Sequence, residues 1–134
     1  MQNILNISEA AAIGLHAADY LACRRGLASA KDIARDLGVS HNHLSKVLQL
    51  LTHADLVMPV RGPKGGFTLS PAGKKATVRA YMSAIDGPPK LHACLMKAKV
   101  CRHRDCMLGR FLAETNKRFE VVLNGKISEV SKRK

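Results

Sequence analysis

The sequence predicts a mainly α-helical protein with one small β-hairpin, and three observations lead to that fold class. Apolar residues recur at helical spacing through residues 9–54, with breaks that divide the pattern into three helices. Two short apolar runs around a glycine-rich tip follow at residues 56–70. A longer helical stripe lies near the C-terminus. With 134 residues, 46% of them hydrophobic, the chain can form one domain, or one small domain with an attached arm.

The first helix is predicted over residues 9–25. Ser8 is a good N-cap, and Gly26 is a stop signal. Cys23 lies inside this helix among apolar neighbours in sequence, so we expect its side chain to be part of the core.

Two shorter helices follow, separated by a tight turn. Ser29 caps the second, which stops at Gly38, and Ser40 caps a third helix that reaches about Ala54. Glycine at the turn can adopt the positive φ that a helix C-terminus often requires. Two short helices joined by such a turn are the signature of a helix-turn-helix.

The third helix separates an apolar stripe from a polar side without acidic residues. A polar first turn of this kind suits hydrogen bonds to base edges and phosphates in a DNA major groove. Standing alone, the same pattern would also fit an ordinary solvated helix face. The predicted DNA contacts here are Ser40, His41, Asn42, His43, Ser45 and Lys46.

A β-hairpin is predicted directly after this helix. LVMPV and FTLS are short strands, and RGPKGG between them forms a basic, glycine-rich tip. Arg61 and Lys64 lie in the tip, where they can reach phosphates or a minor groove. Helix, turn, helix and hairpin in this order predict a winged helix-turn-helix, so residues 1–75 are predicted to be a DNA-binding domain.

Charge and composition support a nucleic-acid partner in the cytoplasm. The formal net charge is +12, and no predicted helix combines basic residues with bulky membrane anchors. Aromatic residues make up 4% of the chain, which argues against base stacking on single strands and favours double-stranded promoter DNA. No apolar run approaches the roughly 20 residues of a membrane span, and the first residues lack the basic-then-apolar order of a signal peptide, so we expect a reducing cytoplasm.

Residues 76–134 are predicted to form a second unit. The SPAGKK segment, residues 70–75, indicates a linker, and a short helix then runs from Thr77 to Gly87. Because the winged domain is already complete, we expect the last helix, residues 105–123, to pair with a second copy in a homodimer. Packing on the first helix of the same chain is the alternative. The apolar stripe of the last helix, which would make this contact, comprises Leu108, Phe111, Leu112, Thr115, Phe119 and Val122.

Three of the four cysteines cluster before this helix, at Cys94, Cys101 and Cys106. The spacing C-x6-C-x4-C lets an irregular loop direct three sulfurs at one centre, and thiolates bind zinc or an iron-sulfur cluster in that way. Basic residues in the same segment stabilise thiolates and suit a negatively charged cluster. The alternatives are three buried small side chains, or a disulfide with one spare cysteine.

The wing RGPKGGF, the later YMSAIDG and the three cysteines resemble the Rrf2 family of bacterial transcription regulators, of the IscR/NsrR type, over nearly the whole chain. The resemblance implies a winged helix that reads promoter DNA and a long C-terminal helix that builds a homodimer. It also implies a [2Fe-2S] or [4Fe-4S] cluster on the three cysteines, and base contacts from Asn42, Ser45 and Arg61.

The chain departs from the family pattern at the fourth cluster ligand. Gly109 stands where members often have a histidine, and Ala12 falls near the position of an acid in the partner's first helix. The fourth ligand therefore stays open among His92, His103, Asp105 and Glu9.

The sequence thus predicts a transcriptional regulator, expected to be a repressor, whose operator affinity is switched by the cluster. An enzyme is not expected, because there is no paired-carboxylate site, P-loop or nucleophile motif. Two alternatives remain open. One is a cluster-free regulator whose thiols respond to oxidants, and the other is a structural-zinc DNA-binding protein in which His92 or His103 completes the metal site.

Overall fold

A computed structural model of the chain describes residues 7–23, 27–91 and 106–130. It confirms the predicted fold class, mainly α with a small antiparallel hairpin. We call α1–α5 with the hairpin the winged head. The elements in chain order are α1 Glu9–Cys23, α2 Ala30–Leu37, α3 His41–His53, β1 Val57–Val60, β2 Gly66–Leu69, α4 Pro71–Lys75, α5 Val78–Asp86, α6 Met107–Asn124 and α7 Ile127–Val130.

The local signals that predict the helix-turn-helix all appear in the structure. Ser29 Oγ accepts a hydrogen bond from the Asp32 N–H at 3.1 Å, and Ser40 Oγ accepts one from the His43 N–H at the same distance. Gly38 ends α2 in the left-handed region, with φ 69°. These caps fix where α3 begins, and so they fix the direction in which its first turn points.

The core lies between α1, α2, α3 and α5. Ile33, Leu48 and Tyr81 are completely buried there. Gly14 on α1 permits close contact with α5, since a Cβ at this position would lie 2.2 Å from Ile85 Cδ1. The apolar stripe of α3 is buried in this core, so its polar side is the side that can face a ligand.

The hairpin is attached to the helix-turn-helix by backbone pairing between Ala28, just before α2, and Phe67 on β2. The sequence did not predict this pairing. The Ala28 N–H donates to the Phe67 carbonyl at 3.1 Å, and the Phe67 N–H donates to the Ala28 carbonyl at 2.8 Å. Gly66 makes this pairing possible, because a Cβ there would lie 2.4 Å from the Ala28 oxygen. The hairpin is therefore held in place along one edge.

Residues 70–75, predicted as a linker, instead form the short helix α4. Pro71 occupies its first turn, where a missing N–H leaves no hydrogen bond unmade. Ser70 caps the helix by accepting from the Gly73 N–H at 2.8 Å, and its hydroxyl donates to the Asp55 carbonyl at 2.6 Å. The proline that indicated a break is thus the start of a capped turn.

Gly73→Ala is expected to lower the free energy of unfolding by about 3 kcal/mol, because the new methyl group has no space. A Cβ at this position would lie 1.9 Å from the Leu56 carbonyl oxygen. Movement is opposed by the Tyr81 hydroxyl, which donates to the Gly73 carbonyl at 2.7 Å. Burial raises the pKa of Tyr81 to about 12, so the hydroxyl keeps its proton at neutral pH.

Urea unfolding followed by circular dichroism measures this loss. Gly109→Ala is the matched control, since a Cβ there has only an ordinary 3.6 Å contact with Cys106 Cβ. A Gly73→Ala protein as stable as this control would contradict the close contact with Leu56.

Cys23, predicted to be part of the core, is exposed. It lies in the last turn of α1, on the side opposite Ala18 and Leu21, which are buried. Its Sγ is 3.8 Å from Asp19 Oδ1. The apolar residues beside Cys23 in sequence point away from it, because successive helical residues face different directions.

The apolar residues of α6 divide between two sides. Leu112 and Phe119 are buried within the chain, so the prediction that they face a partner is wrong. α6 packs on α5, while α7 packs on α1. Leu108, Phe111 and Val122 remain about half exposed, at 51%, 51% and 52%. No helix in the described ranges is long and apolar enough to cross a bilayer.

Candidate nucleic-acid interface and cysteine site

The polar side of α3 is presented to solvent, as the sequence predicts. The Ser40 hydroxyl is used in capping the helix. The other predicted contacts on α3 form no side-chain hydrogen bond or ion pair with any residue that the structure describes, so their polar groups are available to an external partner. The exposed ones are His41, Asn42 and Lys46, and the half-buried ones are His43 and Ser45.

The wing tip holds two exposed basic residues on a tight turn. Arg61 and Lys64 lie between β1 and β2, and neither forms an ion pair in the described structure. The Gly65 N–H closes the turn by donating to the Gly62 carbonyl at 2.9 Å, and Gly62 has φ 124°, which favours glycine. The tip therefore offers two free positive charges on a short backbone turn.

The two acidic residues of the neighbouring helix α2, Asp32 and Asp36, are already paired. Arg35 on α2 lies 3.2 Å from Asp32 and 3.3 Å from Asp36. The Tyr20 hydroxyl also donates to Asp36, at 2.6 Å. By contrast, α3 and the hairpin contain no Asp or Glu. The surface formed by α3 and the wing tip therefore carries uncompensated positive charge, which suits a phosphate backbone.

Lys31 on α2 is a further basic residue that the sequence analysis did not single out. Its side chain is exposed near the N-terminus of α2 and forms no ion pair with any residue described. In a helix-turn-helix the first helix crosses the DNA backbone, which would have been the signal for including it.

Cys106 is the one predicted cysteine ligand within the described residues. Cys94 and Cys101 lie outside them, as do His92, His103 and Asp105. Cys106 is a half-buried free thiol at the N-cap of α6, and its side chain makes no capping hydrogen bond. A helix N-terminus favours a negatively charged group, so this position fits a thiolate ligand.

The remaining candidate ligand, Glu9, is exposed in the first turn of α1. Next to it, the Ser8 N–H and hydroxyl donate to the Asp86 carboxylate at 3.2 and 2.6 Å. Asp86 was not singled out from the sequence, and it ties the start of α1 to the end of α5. Within the described ranges, no three His, Cys, Asp or Glu side chains converge on a point.

Comparison with protein families gives one match over most of the chain. Residues 7–128 match the Rrf2 family model, described as an iron-dependent transcriptional regulator. The chain is 26% identical over 94 residues to the HTH-type transcriptional repressor NsrR of Streptomyces coelicolor, covering 70% of this chain and 64% of that protein. It is 30% identical over 95 residues to an HTH-type transcriptional regulator of Aquifex aeolicus, covering 70% of this chain and 66% of that protein. These alignments thus cover slightly less than two thirds of the relatives' own length.

Solved structures share the fold over nearly the whole chain. CymR, the global cysteine regulator of B. subtilis, superposes with a TM-score of 0.70 at 22% identity, covering 96% of this chain and 97% of that one. IscR of T. potens superposes with a TM-score of 0.67 at 22% identity, covering 96% and 88%. The relatives named as regulators or repressors agree with the prediction that the chain is not an enzyme.

Proposed function

Because this chain belongs to the Rrf2 family of transcriptional regulators, we propose that it binds promoter DNA as a cytoplasmic homodimer. We further propose that it acts as a repressor whose operator affinity depends on an iron-sulfur cluster, [2Fe-2S] or [4Fe-4S], held by Cys94, Cys101 and Cys106. The observation that carries the proposal is the acid-free surface of α3 and the wing tip, joined in one chain to a free thiol at the start of α6.

On DNA, the first turn of α3 enters the major groove. Asn42 and Ser45 read base edges there, and Lys46 contacts a phosphate. The wing tip approaches the neighbouring minor groove or backbone with Arg61 and Lys64. His41 and His43 donate further hydrogen bonds, and Ser40 holds the turn in place by capping it.

The exposed side of α6 supplies the surface for a second copy. Leu108, Phe111 and Val122 lie on one face of the helix, and their half-exposed side chains would be covered by the same face of the partner. A two-fold dimer places two recognition helices about one turn of duplex apart, so the operator is expected to be palindromic. Functionally, residues 1–75 then bind DNA, and residues 76–134 carry the cysteine site and the dimer contact.

Regulation depends on Cys106, because its position is coupled directly to a rigid helix. When bound, the cluster supplies a centre that exchanges electrons and reacts with oxygen or nitric oxide. Cys106 is the N-cap residue of α6, and its backbone carbonyl accepts from the Arg110 N–H at 3.0 Å, so a change at its thiol acts on the helix that spaces the two heads. The change regulates transcription only if the two states differ in operator affinity.

Anaerobic purification tests this proposal. We expect a brown protein that contains iron and sulfide and that bleaches in air or nitric oxide. A colourless protein with bound zinc would instead establish the structural-zinc alternative, with no chromophore to lose.

A cluster-free thiol regulator is the second candidate, and one comparison favours it. A structure of Staphylococcus aureus CymR described as an oxidized form superposes on this chain with a TM-score of 0.68 at 22% identity. A thiol regulator would be colourless and free of metal, and peroxide would consume its free thiols. Dithiothreitol would restore them if the product is a disulfide.

A further inference from the structure

The C-terminal end of α6 is built into the winged head. Phe119 and Leu123 on α6 and Ile127 on α7 are buried in the same core cluster as Tyr81 and Leu48. The opposite end of α6 begins with Met107, which is 77% exposed. One end of this helix is therefore part of the head, while its first turn projects into solvent.

A backbone bridge closes the joined end. The Val78 N–H donates to the Gly125 carbonyl at 2.9 Å, and the Ile127 N–H donates to the Ala76 carbonyl at 3.2 Å. Thr77 and Lys126 pair in an antiparallel bridge between them. The start of α5 and the end of α6 are thus held together by the main chain.

An ion pair joins the same two helices about one turn closer to the N-terminus of α6 than the bridge. Arg79 Nη2 on α5 contacts Glu120 Oε2 on α6, and the two side chains are 36% and 42% exposed. A guanidinium–carboxylate contact has directional geometry as well as charge. Together with the bridge, it gives α5 and α6 contacts at two levels, which opposes rotation of one helix against the other.

We propose that this ion pair and the bridge between residues 76–78 and 125–127 form a joint that fixes the angle between α6 and the winged head. Arg79 and Glu120 are then positioning residues for operator binding, although neither touches DNA. The inference rests on the proposed function, because the angle matters only if α6 pairs with a second copy. An 18-residue helix is about 27 Å long, so a tilt of about 10° displaces its other end by about 5 Å.

Charge reversal tests the joint separately from net charge, because the two single variants change the net charge in opposite directions. Arg79→Glu lowers the net charge by about two and Glu120→Arg raises it by about two, while the double variant restores both the pair and the charge. Each single variant should bind a duplex selected by the wild-type dimer from a random pool about tenfold more weakly, since two heads no longer engage together. The double variant should recover wild-type affinity. Binding to a scrambled duplex should follow net charge alone.

Amide hydrogen exchange gives a second measurement that does not require DNA. The Val78 and Ile127 amides should be protected in the wild type, should exchange faster in both single variants and should recover in the double variant. The Leu48 amide should be unchanged throughout. If charge reversal prevents folding, Arg79→Gln and Glu120→Gln replace the single variants: each should weaken binding and speed exchange, and the double glutamine variant, which cannot form the ion pair, should not recover.

The joint is overturned if both single variants keep full affinity for the selected duplex, if the double variant fails to recover, or if exchange at Val78 and Ile127 is unaffected. A wild-type chain that selects no duplex would remove the proposed function and the positioning role. The exchange measurements would then still decide whether the ion pair stabilises the bridge between residues 76–78 and 125–127.

Discussion

Arg61→Ala is expected to lower affinity for the selected operator duplex by about 100-fold while leaving the homodimer intact. The side chain is exposed at the wing tip and forms no ion pair in the described structure, so its removal leaves the fold unchanged. One such contact contributes about 1–3 kcal/mol, and a dimer loses two of them. Each 1.4 kcal/mol corresponds to about a tenfold change in affinity.

A gel-shift series across salt concentrations measures the effect, with sedimentation to confirm the dimer. Lys74→Ala is the matched control, because it removes one exposed positive charge from α4, at the end of the hairpin away from the tip. An equal loss of operator affinity in both variants would show that the effect of Arg61→Ala comes from net charge alone. Unchanged affinity in Arg61→Ala would remove the wing from the interface.

Replacing Cys94, Cys101 and Cys106 together by alanine should abolish the response to air or nitric oxide and preserve the fold. The described core does not include Cys106, which is only half-buried, so folding does not depend on its side chain. The response is the ratio of operator dissociation constants before and after exposure, and it should become one. Circular dichroism and sedimentation report the retained fold and dimer.

Cys23→Ala is the matched control for this variant. Cys23 is exposed at the end of α1 and was not predicted as a ligand, so its replacement should leave the full response. A triple variant that still responds to air or nitric oxide would show that another part of the chain senses them. A triple variant that unfolds would show that the cysteine segment is a structural element, as in the zinc alternative.

The helix-turn-helix and the hairpin could be predicted because their signals are local. Ser29, Ser40 and Gly38 each act on backbone groups within five residues of themselves. The hairpin follows from two short apolar runs around a glycine-rich tip. The exposed side of α3 follows in turn from its apolar stripe, so the residues proposed to contact DNA could be selected before the fold was known.

Features that depend on distant partners could not be predicted. The pairing of Ala28 with Phe67 joins residues far apart in sequence, and only Gly66 hints at a close backbone approach.

Two local features were also predicted wrongly. α4 was missed because Pro71 can either interrupt a helix or begin one. Cys23 was misplaced because its apolar neighbours in sequence point to other sides of α1.

The last helix shows a different limit. Its spacing correctly predicts an apolar helix, but periodicity does not distinguish a stripe that packs within the chain from one that packs on a partner. Leu112 and Phe119 belong to the first kind, while Leu108 and Phe111 remain exposed. The joint with α5 depends on Arg79 and Glu120, which look like ordinary surface charges in the sequence.

The most direct test is operator affinity measured against iron occupancy in a single anaerobic preparation, with the iron removed stepwise by a chelator. We expect the affinity of fully loaded and empty dimers to differ at least about tenfold, the usual scale of coupling between two sites, and to change in proportion to iron content. An affinity that stays constant from full to zero occupancy would contradict control of DNA binding by the three cysteines.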